Sequence, residues 1–450
     1  MKMLPELYQK HLQSLLSQSE LIFLTLVINV VQNIKDVKLE KISESLPLFI
    51  QCQSRRKKLQ RFLLLPILNI EELWFPIIER WLAQIFLGNH RIYLAIDRTN
   101  WKRKNLLMIS VIFQKRAIPI YFKLLAKLGS SNLSEQTKAL TKIIPLFKNY
   151  KTVVLGDREF CSVSLAKWLD EQGFEFCLRL KKNENIELKA HLWCEIKDLG
   201  LKPGTSFFVS DATVTKTKQV KGFNVACKWK KNYRQNKAKE GWFILTNMNS
   251  KITAIQAYQK RFDIEEMFRD FKSGGYNLEK TNVEGKRFIA LVLIISLADT
   301  IATLQGQNIK SKGIAKYLAR PKEYGRSHRR HSNFYIGLYA QNWVNFIGDC
   351  WSLVQDLMRL SRHKLENYLF TRDESYEAYT VSFIGFMSPL QKLTYTGWLW
   401  YMSDRSRLHC CKMFRGLKMS YFKRANQLSN DISCWSTCDC TVAFKFFALS

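Results

Sequence analysis

Residues 92–125 read IYLAIDRTNWKRKNLLMISVIFQKRAIPIYFKLL, and their texture decides the fold. Short apolar runs alternate with charged turns. Residues 92–97 (IYLAID) form a strand expected to end in Asp97, and 106–113 and 118–125 form two more, joined as a hairpin by a Lys-Arg turn. Downstream, 134–147 is helical, and 152–155 is a buried strand leading into Gly156-Asp157. A second helix over 163–172 and a fifth strand over 174–180 follow. An antiparallel hairpin first, then strands alternating with helices, implies an α/β fold: a mixed sheet with helices on both faces.

The order three-strand meander, helix, strand is that of a ribonuclease H-like sheet, whose first and fourth strands lie side by side. Asp97 and Asp157 then become neighbours in space. Either acid alone reads as a turn or cap residue. Two carboxylates placed together repel unless a proton or cation lies between them. Hard divalent cations, which take oxygen ligands, supply a reason for the pair.

Residues 258–276, YQKRFDIEEMFRDFKSGGY, supply a third acid. On one continuous helix Tyr258, Arg261, Glu265 and Lys272 fall within an arc of roughly 60°. Ile264, Phe268 and Phe271 form the adjoining apolar strip. Glu266 lies about 80° from Tyr258, outside the arc. The plainer alternative is a surface helix with one Arg-to-Glu pair.

Net charge is +32, spread along all 450 residues, and 47% of residues are hydrophobic. A folded chain this basic points to a polyanion, nucleic acid before a membrane surface. No run reaches 18 uninterrupted apolar residues, so no membrane partner is expected. Eleven cysteines without regular spacing fit a reducing cytoplasm better than a disulfide framework.

The remaining segments are read more coarsely. Residues 1–88 are mostly helical. Within them, 38–46, a break at Pro47 and a basic helix capped by Ser54 resemble a helix-turn-helix reader, with Arg55, Arg56, Lys57 and Lys58 facing DNA. A solvated charged face would look the same. Residues 89–185 open the sheet and 251–305 complete it. Between them, 186–250 interrupts the core with strands at 207–210, 212–217, 223–229 and 242–245. All charges from 212 to 239 are basic, and Trp229, Tyr233 and Trp242 interleave with them. That suits a surface on which bases stack, or a lysine-protected sheet edge. Residues 306–450 form a basic and helical C-terminal region, with a phosphate-contacting loop at 309–331, a helix at 342–369 and a poorly patterned tail. His409 and the cysteines at 410, 411, 434, 438 and 440 lack the paired knuckles of a zinc site.

LAIDRTNWKR, VVLGDREF and YQKRFDIEEMFRDFKSGGYNLEKT together resemble the DDE transposases of bacterial insertion sequences. The match is to the insertion-sequence-four family and its Tyr-Arg-Glu-Lys signature, whose spacers of two, three and six residues Tyr258, Arg261, Glu265 and Lys272 reproduce. The resemblance covers roughly residues 35 to 340. It implies a metal-binding catalytic triad of Asp97, Asp157 and Glu265. It implies phosphate contacts from Tyr258, Arg261 and Lys272, and a flipped base stacked on Trp242 in WFILT, where Ile244 replaces the usual Leu. The cofactor implied is Mg²⁺, with Mn²⁺ as substitute. The partners implied are double-stranded DNA, both transposon end repeats and target, and a second copy in the DNA complex. The reaction implied is cutting at the ends and joining of the 3′-OH ends to target DNA, through a hairpin in many relatives. A metal-dependent nuclease without strand transfer and an inactive basic DNA-binding protein stay open. The C-terminal 100 residues have no clear counterpart: the tail is either divergent or readthrough.

Overall fold

The computed structural model describes residues 4–340 except 89, 190–191, 232–239, 321–323 and 325–329. They belong to a compact unit, Met1–Leu360, and a second unit, Ser361–Ser450, lies outside them. The expected helix at 342–369, the tail cysteines with His409, and Tyr233, Arg234, Lys237, Lys239 and Arg329 of the basic segments also lie outside the described residues.

Five helices come first: α1 (Glu6–Leu15), α2 (Gln18–Ile34), α3 (Leu39–Ser45), α4 (Cys52–Phe62) and α5 (Phe75–Ile85), the last entered through a π-helical turn at Ile70–Trp74. Ser17 caps α2 in a reciprocal box with Glu20, which satisfies two otherwise orphaned backbone donors. The basic helix α4 starts earlier than expected. Its N-cap is Gln51, so Ser54 lies inside the first turn and caps nothing. Pro47 had marked the break correctly, but the chain resumes its helix as soon as the extended segment ends.

The core follows as β1 (Ile92–Trp101), β2 (Lys104–Phe113), β3 (Arg116–Leu124), α6 (Leu133–Phe147), β4 (Thr152–Gly156), α7 (Val163–Glu171) and β5 (Glu175–Arg179). Then come β6 (Asn185–Lys189), β7 (Leu192–Glu195), β8 (Ser206–Val214), β9 (Val220–Lys228) and β10 (Trp242–Thr246). These ten strands, counted among the described residues, form one sheet in the order β3-β2-β1-β4-β5-β10-β9-β8-β6-β7. β1 and β4 are adjacent and parallel, with Ile92 opposite Thr152 and Ile96 opposite Gly156. The mixed sheet, its first five strands and the helices on both faces make a ribonuclease H-like core. The expected strands at 207–210 and 212–217 are one strand, β8, with an irregularity where Asp211 takes a positive φ of 47°. β10 pairs antiparallel with β5, so the 186–250 strands extend the core sheet.

Strand alternation divides the core. Val153, Leu155, Cys177, Ala226 and Ile244 face Ala254, Ile255, Ala257 and Tyr258. Those last four lie on α8 (Lys251–Gln259). Val154, Phe176 and Leu178 point the other way, into the larger cluster that includes Leu165, Ala166 and Leu169 of α7. After α8 come a 3-10 turn at Lys260–Phe262 and α9 (Asp263–Phe271), followed by α10 (Gly285–Ser311) and α11 (Ala315–Leu318). Among the described residues α10 is long and apolar enough to cross a membrane, but 83% of its most apolar window is buried inside the protein. It packs on α2, α9 and β3, and Gln32 of α2 donates to its Ala298 carbonyl at 3.0 Å.

Candidate active site

Asp97 was expected at a strand end. Instead β1 runs on to Trp101, because its antiparallel pairing with β2 continues to Trp101–Lys104. On its other edge the pairing with β4 stops at Ile96–Gly156. Asp97 and Asp157 are therefore each the first residue past the shared ladder. They open together at the carboxyl ends of parallel strands, where α/β sheets bind ligands.

The junction of α8 and α9 lies over this opening. The expected single helix is interrupted there by the 3-10 turn that holds Arg261. Arg261 is 2% exposed. Its Nη1 donates to Asp97 Oδ2 at 3.2 Å and its Nη2 to Glu265 Oε1 at 2.6 Å. The other Asp97 oxygen, Oδ1, accepts the backbone N–H of Arg98 at 2.7 Å. The buried Tyr258 hydroxyl donates to Asp157 Oδ1 at 3.4 Å, and Arg179 Nη1 approaches the same oxygen at 3.9 Å. One guanidinium thus ties two of the three acids, and a phenol and a second guanidinium hold the third.

Burial pushes Asp97 up to about 6; the Arg98 N–H and Arg261 oppose this, while Asp157 and Glu265 add to it. For Arg261, burial alone would favour the neutral form. Tyr258, Asp157, Asp97 and Glu265 outweigh it and raise the pKa above the usual guanidinium value. Tyr258 is raised as well, chiefly by burial. The mutual influence of Asp97, Asp157 and Glu265 reflects their closeness.

Glu266 turns away from this group, to Arg116 Nη1 at 2.9 Å and to Arg269. Trp242, at the start of β10, contacts the Tyr258 ring edge-on at 5.3 Å and the Phe262 ring at 5.8 Å, with Lys230 Nζ 5.5 Å from its own ring centre. Lys272 is not brought to the acids. It is the C-cap of α9, its backbone N–H bonds to Phe268 and Arg269, and its Nζ lies 5.2 Å from the Trp101 ring. The helix ends here because Gly274 and Gly275 let the chain fold back on it: a Cβ at Gly275 would stand 2.1 Å from the Asp270 carbonyl.

The basic residues of α4 are partly engaged within the protein. Arg55 donates to the carbonyls of Glu44 and Leu46 at 3.2 and 2.7 Å, and Arg56 pairs with Glu40 at 2.7 Å. Lys58 lies 5.3 Å from the Phe23 ring, and Lys57 is exposed.

Five supporting residues escaped the sequence reading. Arg98 Nε bonds both oxygens of Glu159, at 2.9 and 3.0 Å, tying β1 to the loop after Asp157. Arg179 and Arg158 share Glu240, at 2.7 and 3.0 Å. The signal was position: Arg98 and Glu159 follow the two acids closely, and Arg179 ends the next parallel strand at the level of Asp157.

Among the described residues no group of three His, Cys, Asp or Glu side chains stands ready around one metal position. The donor chemistry still fits a hard divalent ion, since three carboxylates gather at one end of the sheet. What lies between Asp97 and Glu265 is the Arg261 guanidinium.

Residues 91–298 match the family described as Transposase DDE domain. No curated protein matches the chain. Among solved structures, the chain is similar to a piggyBac transposase synaptic complex with hairpin DNA, at 15% identity and a TM-score of 0.40, over 74% of this chain and 73% of that one. The matched segment contains Asp97, Asp157 and Glu265.

Proposed function

We propose that the chain cuts DNA at the ends of an insertion sequence and joins the freed 3′-OH ends to target DNA, as a member of the insertion-sequence-four group. The observation that carries this reading is the parallel register of β1 and β4, which opens Asp97 and Asp157 at one level beneath Glu265. Asp97, Asp157 and Glu265 hold divalent ions, Mg²⁺ or in its place Mn²⁺. When bound, such ions lower the pKa of an attacking oxygen and stabilise the leaving one.

The protein's own groups bind and orient. Tyr258, Arg261 and Lys272 take phosphates of the cut end, and Trp242 offers an aromatic face to a base turned out of the stack, which relieves the tight turn of a hairpin intermediate. Arg55, Arg56, Lys57 and Lys58 add phosphate contacts from an N-terminal DNA-binding domain over 1–88. The +32 charge suits two DNA partners, end repeats and target, and predicts steep salt dependence. The chain acts as a homodimer on DNA, in the cytoplasm at the nucleoid.

The test uses duplexes carrying the inverted repeats that flank the coding region, with Mg²⁺. A precut end with a free 3′-OH should be joined to target DNA by the wild type and not by Asp97→Ala, Asp157→Ala or Glu265→Ala, all of which keep end binding. Cutting without joining would assign a nuclease instead, and binding without cutting an inactive DNA-binding protein.

A further inference from the structure

We propose that Arg261 is an internal counter-ion, holding the carboxylates while the site is empty and releasing them when a DNA phosphate takes its guanidinium. The inference rests on the functional reading above, in which these acids bind divalent ions. Both Asp97 oxygens are already engaged, one by the Arg98 N–H and one by Arg261, and Glu265 Oε1 is engaged by Arg261 too. A cation on those oxygens would stand close to the guanidinium, and the repulsion between the two positive charges favours displacing it.

Two further observations place Arg261 between states. Its Nε is buried and has no hydrogen-bond partner, although a guanidinium offers a fork of donors suited to phosphate. It also sits in a 3-10 turn between two α-helices, where the hydrogen-bond ladder is weakest and where mid-helix 3-10 segments mark hinges. The Phe262 ring, 4.6 Å from the guanidinium carbon, supports its present position without using a donor. A phosphate that accepts from Arg261 therefore unlocks Asp97 and Glu265 for ions. By linkage, ions that occupy those acids free Arg261 for phosphate. The two ligands assist each other through one side chain, and ion loading without DNA is disfavoured.

Mn²⁺ binding is measured by titration calorimetry on the full chain, with and without end-repeat duplex, for the wild type, Arg261→Gln and Arg261→Lys. In the wild type, duplex should tighten Mn²⁺ binding about tenfold or more. Arg261→Gln should bind Mn²⁺ about tenfold more tightly than wild type without DNA, and duplex should add little. Equal or weaker Mn²⁺ binding by folded Arg261→Gln, or an unchanged response to duplex, overturns the proposal. If Arg261→Gln does not fold, Arg261→Lys decides, because it keeps a charge but not the fork: a weaker duplex effect supports the proposal and an unchanged one overturns it. Wild type that binds no Mn²⁺ even with duplex overturns the metal reading itself and this inference with it.

Discussion

Ile96 lies directly opposite Gly156 in the last rung of the β1–β4 ladder. That pairing sets the level at which Asp97 and Asp157 leave the sheet. Gly156 is there for space and not for a special dihedral: a Cβ on it would stand 2.8 Å from the Phe160 Cβ and 2.9 Å from Leu178 Cδ2. Gly156→Ala is therefore expected to overpack this corner and to cost about 1–3 kcal/mol. It should also shift Asp157 and lower cutting more than end binding. Denaturant midpoints and gel-shift titration check the two halves. An unchanged midpoint with normal cutting would show that the corner yields freely.

Adjacent acids on α9 have separate fates. Glu265 meets Arg261 beside Asp97, whereas Glu266 meets Arg116 on β3. Glu265→Gln should reduce cutting on the order of a thousandfold, which equals about 4 kcal/mol of barrier. Glu266→Gln should leave cutting nearly intact and cost about 0.5–1 kcal/mol of stability through the lost ion pair. Parallel cleavage assays on end-repeat DNA distinguish them, and the reverse outcome would move the active acid by one residue.

Behind α9 lies a buried acid pair. Asp270 on α9 and Asp299 on α10 are 5% and 3% exposed. Burial pushes Asp270 up to about 7, against the pull of Arg116 and Arg269 and with the push of Glu266. Burial, then Asp270, raises Asp299 well above the carboxylate range, with Arg116 opposing. Tyr276 and Tyr8, also buried, face the same group. From about pH 4 to 7 the folded state keeps protons that the unfolded chain has lost. Stability conferred by this pair is therefore full below the unfolded pKa and falls as pH rises through that window. Asp299→Asn should flatten the decline between pH 5 and 8 and raise the melting temperature at pH 8, by up to a few kcal/mol of stability. The flattening is partial, because burial also pushes Asp97 and Asp263 up to about 6. Denaturant midpoints across pH test it; an unaltered slope in Asp299→Asn would assign the decline to other groups.

Much of this core was legible in the residues, and the failures share a cause. Alternating apolar runs located β1 to β5, and their order placed Asp97 beside Asp157. Local pattern carries no record of a partner far away in sequence, however. It could not show β1 continuing past Asp97 along β2, or β10 adding the 186–250 strands to β5. The helix through Tyr258 was drawn straight because its spacing is helical throughout. The 3-10 turn occurs where Arg261 reaches Asp97 on another strand, a tertiary demand. The single helix expected over 258–276 stops at Phe271 with Lys272 as its C-cap, and the stop signal, Ser273-Gly274-Gly275, is in the sequence.

Trp242 stands against Tyr258, which itself bonds Asp157, so its ring lies next to the acid group without touching it. It is half-buried and keeps an open side near Lys230. Trp242→Ala removes the stacking surface and the contacts with Tyr258 and Phe262, yet leaves Asp97, Asp157 and Glu265 in place. If a flipped base stacks there, the loss should be about 1–3 kcal/mol at the steps that need it. Hairpin formation and resolution should slow by about tenfold to a hundredfold, while the first nick stays near the wild-type rate. Time courses that follow nick, hairpin and opened end on one labelled substrate separate these steps. Equal slowing of all three would mean that Trp242 acts by holding Tyr258 in position, and Trp242→Phe, which keeps a ring, would then restore the nick along with the rest.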